Sequence, residues 1–276
     1  MTNITREQII EALVKKGYSA QANDTIKNGC VLSAITIRNG SNIAPNIYID
    51  AMLEHFDSLE DIVENIINIY EAHKSVDIDI SLFSNHDWIL DHLYIALQKS
   101  STENLIKRTC EFDGIEQYLY IRGSVEEDGW SVKLNAGIME NASLSLTEVW
   151  DAATRNTFAA GETIIKSMTS VLAEMLGEPI CEDFDLSMPK MYVITNKSKT
   201  KGSVQILDKK TIRSYFPSNV HRLVCIPSSI HEFILVPFEN ISDINIDDFN
   251  VMVQEVNASE VDATEQLGSH IYILSI

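Results

Sequence analysis

From Met191 to its end the chain alternates two strand-like runs with one helix-like run, does so twice, and closes on a last apolar run. Met191 to Thr195 and Ser203 to Leu207 read as strands, and Asp208 can cap a helix that carries Ile212, Tyr215 and Phe216. Arg222 to Ile226 and His231 to Val236 read as the next pair. Asp247 to Asn257 follows as a helix with Phe249, Val253 and Val256 on one face, and Ile271 to Leu274 is the final strand. Strands joined by short connections pair antiparallel, and helices returning between such pairs cover one face of the sheet. The order ββαββαβ over 186–276 therefore predicts an α+β subdomain, a mostly antiparallel sheet with helices on one face. The acidic run Glu182-Asp-Phe-Asp185 and then Met188-Pro189 change charge, turn chemistry and secondary-structure type together, which places a boundary near residue 186 and leaves 1–185 as an N-terminal α+β region.

That N-terminal region reads as helical and mixed. Thr5 is placed to cap a helix carrying Ile9, Ile10, Leu13 and Val14, which Gly17 ends. Between Asn28-Gly29 and Asn39-Gly40 the run Cys30 to Arg38 alternates as a strand, with Asn-Gly supplying the turns. Pro45 can open a further helix. Ser58 caps a stronger one, in which Leu59, Ile62, Val63, Ile66, Ile67 and Tyr70 form an apolar stripe. The run 76–99 fits a strand or a short helix, with a lean to strand. Tyr118 to Arg122 and Trp130 to Leu134 predict a hairpin across the acidic turn Glu126-Glu127-Asp128-Gly129. Ser145 and Glu148 form a capping box opening a helix to Thr157, and a second helix is predicted from Glu162 to Leu176, ending at Gly177-Glu178-Pro179.

Charge is segregated along the chain. The 276 residues carry a formal net charge of −19. Residues 186–236 nevertheless hold eight Lys or Arg against two acids, whereas the last forty residues hold eight acids and neither Lys nor Arg. An acidic chain is repelled by phosphate backbones and anionic lipid, so direct nucleic-acid and membrane binding are disfavoured and a basic protein partner is favoured. The sequence has no apolar run long enough for a spanning helix and no secretory leader pattern, so a cytoplasmic location is expected. Cys30, Cys110, Cys181 and Cys225 show neither zinc-ligand nor Cys-x-x-Cys spacing and read as reduced core thiols.

Several stretches carry a resemblance. Met191-Tyr-Val-Ile-Thr-Asn196, Pro227-Ser-Ser-Ile-His-Glu232 with Pro237, Val256-Asn257 and Gly268-Ser-His-Ile-Tyr272 resemble a family of gut clostridial proteins catalogued as domain of unknown function 5688. Asn28-Gly29 and Asn42-Ile-Ala-Pro-Asn-Ile-Tyr-Ile-Asp50 resemble its N-terminal pattern, whereas the match fades between about Leu82 and Asn141. The resemblance implies a shared fold and a bacterial, often mobile-element setting, and it implies no activity.

Three constellations compete for function. Ser229, His231, Glu232 and the more distant His270 supply the nucleophile, base and acid types of a small hydrolase. Against that reading, a Gly-x-Ser-x-Gly elbow is absent, and residues 229, 231 and 232 cannot share one side of a strand. His231-Glu232 begins like a zinc-peptidase motif, but Leu235 stands where the second His belongs, so no metal is expected. Asn196, Lys197, Lys199 and Lys201 before Gly202 are the candidate ligand-binding loop for an anion, although the phosphate-loop pattern is missing and no cofactor is implied. Glu126, Glu127, Asp128, Asp247 and Asp248 are the candidate interaction surface, joined by Asp57, Glu60, Asp61 and Glu64. Carboxylates at phosphate-like spacing can occupy a basic groove as DNA does. The expectation is a non-enzymatic protein that binds a basic partner, in its most concrete form a mobile-element inhibitor of a bacterial defence nuclease. The alternative is a hydrolase or ligand-binding domain built on Ser-Ser-Ile-His-Glu.

Overall fold

The computed structural model describes residues 4–38, 44–73, 78–125, 128–178, 190–240 and 244–276. It is an α+β protein built on antiparallel sheets. The chain divides into two compact units, one of residues 1–84 with 124–129, the other of 85–123 with 130–276. Each is described by itself.

In the first unit, α1 (Arg6–Lys15) begins at a capping box made by Thr5 and Gln8. The strands β1 (Ala20–Lys27) and β2 (Cys30–Ile37) form a hairpin whose turn places Asn28 and Gly29 at φ of 50° and 80°. Two successive left-handed residues are what a tight hairpin turn demands, which is why Asn-Gly sits there. β3 (Asn46–Tyr48) adds to the other side of β2, followed by α2 (Asp50–His55) and α3 (Leu59–His73). One face of the sheet places Ile35, Ile37 and Ile47 in a core with Ile9 and Leu13 of α1 and Ile62, Ile66 and Tyr70 of α3. The sequence missed β1: its Gln-Ala-Asn-Asp-Thr run is largely exposed, so no apolar alternation marks it. Pro45 precedes a short strand rather than opening a helix, and the next helix, α2, begins only at Asp50.

In the second unit, α4 (His86–Asp91) leads into β4 (Leu93–Lys99), so the part of the ambiguous run that lies in this unit, 85–99, is helix first and strand second, while Ile80–Ser84 before it is a 3₁₀ turn and residues 76–77 lie outside the described residues. β5 (Lys107–Thr109), β6 (Ile115–Val125) and β7 (Asp128–Lys133) complete a four-stranded sheet in which β6 pairs with the other three. On one face of that sheet Gln98 and Glu116 are buried; Glu116 Oε1 accepts from Gln98 at 2.8 Å and from Lys107 Nζ at 3.1 Å, while Glu103 receives Lys133 Nζ at 2.7 Å. Paired in this way the buried charges are tolerated, and removing either partner of a pair would strand the other. α5 (Ala136–Asn141) and α6 (Leu146–Thr157) follow, the latter opened by the Ser145–Glu148 capping box read from sequence.

The helix expected over 162–176 is instead a strand, β8 (Thr163–Ser167), followed by α7 (Met168–Leu176). Thr163, Ile164 and Ile165 are β-branched, and Ser167 caps α7 by accepting the N–H of Ser170, so the true helix start lies at that serine. Then come β9 (Tyr192–Asn196), α8 (Lys209–Tyr215), β10 (Arg222–Ser229), β11 (Glu232–Phe238), α9 (Ile246–Ser259) and β12 (Tyr272–Ser275). The sheet order is β12-β10-β11-β9-β8. β8 pairs with β9 across the position expected as a boundary, residue 186, which itself lies outside the described residues.

The expected strand 203–207 is a 3₁₀ turn, Gly202–Leu207, and it is buried throughout its first five residues. It fails as a strand because its polar groups are committed elsewhere. Gln205 Nε2 donates to the Thr157 carbonyl at 3.0 Å, its Oε1 accepts from Thr163 Oγ1 at 2.7 Å, and Ser203 Oγ donates to the Ile230 carbonyl at 2.7 Å. The turn hands over to α8 through Asp208, whose carboxylate accepts the N–H of Thr211. Partial burial works against ionisation of Asp208, but hydrogen bonds from Thr211 and Thr163 outweigh it and hold the carboxyl below its ordinary range. A carboxyl with its folded pKa depressed contributes stability above its unfolded value, near pH 4, and loses it as pH falls through the folded value. Asp208→Asn keeps the cap and removes the charge. The stability difference between wild type and this variant, measured by urea unfolding, is therefore expected at neutral pH and should shrink toward zero as the medium is acidified below about pH 4.

Candidate functional site

The Pro227-Ser-Ser-Ile-His-Glu segment forms the end of the β10–β11 hairpin, with a bulge between Pro227 and Ser229 and a turn at Ile230 and His231. The bulge shifts the register by one residue, which re-aims the side chains of the turn away from simple alternation. Ser229 Oγ accepts the backbone N–H of His231 at 3.0 Å, and Ser228 Oγ donates to Glu232 at 3.3 Å. The His231 ring points elsewhere: Nδ1 accepts the Lys201 N–H at 3.0 Å and Nε2 stands 3.5 Å from Glu265 Oε1. The neutral ring therefore carries its proton on Nε2. His270 packs on the ring of Tyr272, centroids 4.6 Å apart. Among the described residues no hydrogen bond joins Ser229 to the His231 ring, or His270 to either, so the four candidates are not brought together as nucleophile, base and acid.

The basic loop is built against this turn. Asn196 Oδ1 accepts from Ser198 Oγ at 3.1 Å and from the Thr200 N–H at 3.2 Å, while its Nδ2 donates to the Thr200 carbonyl at 2.8 Å. A buried asparagine that closes its own loop in this way has little left for a ligand. Lys197 Nζ pairs with Glu162 at 3.3 Å, and Lys201 Nζ lies 5.1 Å from the Tyr120 ring and 3.3 Å from Ser131 Oγ. Lys199 and Lys201 both take the left-handed conformation, φ 52°. Burial under this arrangement pushes the Tyr120 hydroxyl up to about 12. Gly202 follows where nothing larger fits: a Cβ there would meet Thr195 Oγ1, the Asn196 nitrogen at 2.6 Å and the His231 carbonyl at 2.7 Å. The loop thus clamps the hairpin turn through backbone groups.

Of the candidate interaction residues, Glu126 and Glu127 lie outside the described residues, as does the side chain of Asp128. Asp247 and Asp248 are exposed in the first turn of α9, where a helix N-terminus favours negative charge. Asn245 caps the helix by accepting the Asp248 N–H. The inner side of α9 puts Val253 in a core with Val224, Ile226 and Val236, and Asn250 and Asn257 hold the final segment by accepting from Ile271 N at 2.9 Å and donating to the Gly268 carbonyl at 2.8 Å. Val256 was expected to face inward with Val253, but it is 44% exposed, and Met252 and Val251 are exposed at 40% and 52%. Asp248, Met252 and Val256 follow one another at four-residue spacing, with Val251 and Glu255 alongside, so acids and apolar side chains share one outer face. Sequence reasoning missed this because Phe249, Val253 and Val256 satisfy an inward stripe equally well. The available signal was that α9 has more apolar residues than one buried stripe can use.

Cys225 is buried in β10, where loss of water pushes its thiol up and away from the reactive thiolate. Two outcomes follow from this geometry. Gly202→Ala should lower unfolding stability by about 1–3 kcal/mol in a denaturant titration, because backbone atoms must move to admit the methyl group. Fluorophosphonate labelling of the folded chain should leave Ser229 unmodified; mass-spectrometric detection of an adduct there would restore the hydrolase reading.

Among the described residues no helix is long and apolar enough to cross a membrane. No curated protein and no solved structure matches the chain. The family resemblance seen in its separate segments extends over nearly the whole sequence: the model of a family of unknown function, DUF5688, matches residues 3–275, and the chain belongs to that family.

Proposed function

We propose that the protein is a non-enzymatic cytoplasmic binding protein that engages a basic protein partner through an acidic face centred on α9. The observation carrying this reading is the outer face of that helix, where Val251, Met252 and Val256 stand exposed beside Asp247, Asp248 and Glu255. Among the described residues Asp247, Glu255 and Glu260 have no ion-pair partner, while much of the basic island is committed within the chain. Acids that balance nothing internally leave a negative field over apolar side chains, and that combination fits a partner presenting Lys or Arg around an apolar patch. The hydrolase alternative has less support, since the Ser229 hydroxyl oxygen accepts the His231 backbone N–H and the His231 ring turns to Lys201 and Glu265.

The concrete form of the proposal is inhibition of a nucleic-acid-handling enzyme, such as a bacterial defence nuclease, whose basic groove would accept the acidic face in place of DNA. Replacing phosphates at such a groove releases the same counterions, so binding should weaken steeply with salt and compete with duplex DNA.

Two variants separate the contributions. Asp247→Asn/Asp248→Asn/Glu255→Gln removes charge, and Val251→Ser/Met252→Ser/Val256→Ser removes apolar surface; all six positions are exposed, so the fold should be retained. With a basic partner captured from the host, each triple variant is expected to lose at least about tenfold in affinity by calorimetry, the first losing its salt dependence as well. Unchanged affinity in both variants overturns the reading.

A further inference from the structure

The sheet of the first unit has a second face that its core does not use. Opposite Ile35, Ile37 and Ile47, the pairings Gln21 to Thr36 and Thr36 to Asn46 bring polar side chains of three strands side by side. Asn46 joins them: its Oδ1 accepts from Asn23 Nδ2 at 2.8 Å and Thr36 Oγ1 at 2.7 Å, and its Nδ2 donates to Thr25 Oγ1 at 3.1 Å. Beside this network lies a cavity of about 390 Å³ lined by Gln21, Asn23, Thr36, Arg38 and Asn46, among others. Its size is that of a small-molecule site, but small-molecule sites are mostly apolar and this one is walled by amides, a hydroxyl and a guanidinium.

We propose that this cavity binds a hydroxylated carboxylate of the sugar-acid class. Arg38 supplies a planar fork of donors whose geometry matches a carboxylate in two parallel hydrogen bonds. The amides of Gln21 and Asn23 each offer a donor and an acceptor, the combination that a sugar hydroxyl needs. Asn46, with its oxygen already accepting twice, serves as a positioning residue that fixes Asn23 and Thr36 across the strands. An apolar ligand would desolvate these groups without replacing their hydrogen bonds, and a neutral sugar would leave the guanidinium unmatched. The site lies in the first unit, stands on different residues from α9, and holds or fails independently of the partner-binding proposal.

The test is a titration of the full ¹⁵N-labelled chain with galacturonate, followed by amide chemical shifts, with galactose and acetate as comparison probes. Saturable shifts are expected at Gln21, Asn23, Thr36 and Asn46. Galactose and acetate should each bind at least about tenfold more weakly than galacturonate, since each supplies only half of the recognition. Arg38→Gln, at an exposed position, should reduce galacturonate affinity about tenfold or more while leaving the remaining spectrum in place, and Gln21→Ala should bring galacturonate toward the affinity of acetate. The proposal is overturned if galacturonate produces no saturable shifts, if the shifts fall outside these strands, or if Arg38→Gln binds as wild type does.

Discussion

A single buried turn, Gly202 to Leu207, ties together the larger unit of this protein. It reaches α6 through Gln205 and the Thr157 carbonyl, β8 through Gln205 and Thr163, and the β10–β11 turn through Ser203 and the Ile230 carbonyl. Each bond satisfies a buried polar group that would otherwise cost on the order of 1–3 kcal/mol. The arrangement leaves no room for a side chain at Gly202, and it fixes where the basic loop before it and α8 after it must lie. The Pro-Ser-Ser-Ile-His-Glu turn is consequently held on several sides through its backbone, Thr195 Oγ1 donating to the His231 carbonyl at 2.8 Å and the Ile230 N–H donating to the Glu265 carbonyl at 2.8 Å. Its serines and histidine are spent on keeping a bulged hairpin in place.

The same accounting changes the meaning of the basic island. Lys197 pairs with Glu162, Lys209 with Glu111 at 2.7 Å, and Arg213 donates to the carbonyls of Val220, Phe216 and Pro217 beyond the end of α8. Arg222 lies over the Phe238 ring at 5.9 Å. A cluster that stands out in an acidic sequence thus works largely as internal counter-charge and helix-end support. Among the described residues Asp247, Glu255 and Glu260 have no ion-pair partner, and on α9 acids stand next to apolar side chains that the core leaves outside.

Local chemistry made much of the fold legible. Thr5 with Gln8, Ser145 with Glu148, Ser58 with the N–H groups of Glu60 and Asp61, and Asp208 with Thr211 mark helix starts because a cap acts within three residues. Asn28-Gly29 marks its hairpin for the same reason. What escaped depends on distant partners. β1 is polar and is defined by pairing with β2; β8 is held by β9 nearly thirty residues later; the turn 202–207 is buried by groups from α6 and β8. Of the candidate site, Asp247 and Asp248 lie exposed in the first turn of α9, whereas Ser229, His231 and His270 diverge because a bulge and a backbone clamp aim them apart. The outward turn of Val256 is likewise set by which stripe of α9 meets β10 and β11, a choice the helical period alone leaves open.

The central claim is that α9, rather than the hairpin clamp, is the surface that meets a partner. Hydrogen exchange of the full chain, read by mass spectrometry with and without a captured basic partner at saturation, addresses it directly. The account predicts new protection over 246–259, with 196–202 and 227–232 exchanging as in the free chain. Protection confined to the hairpin and its loop, with α9 unchanged, would contradict it.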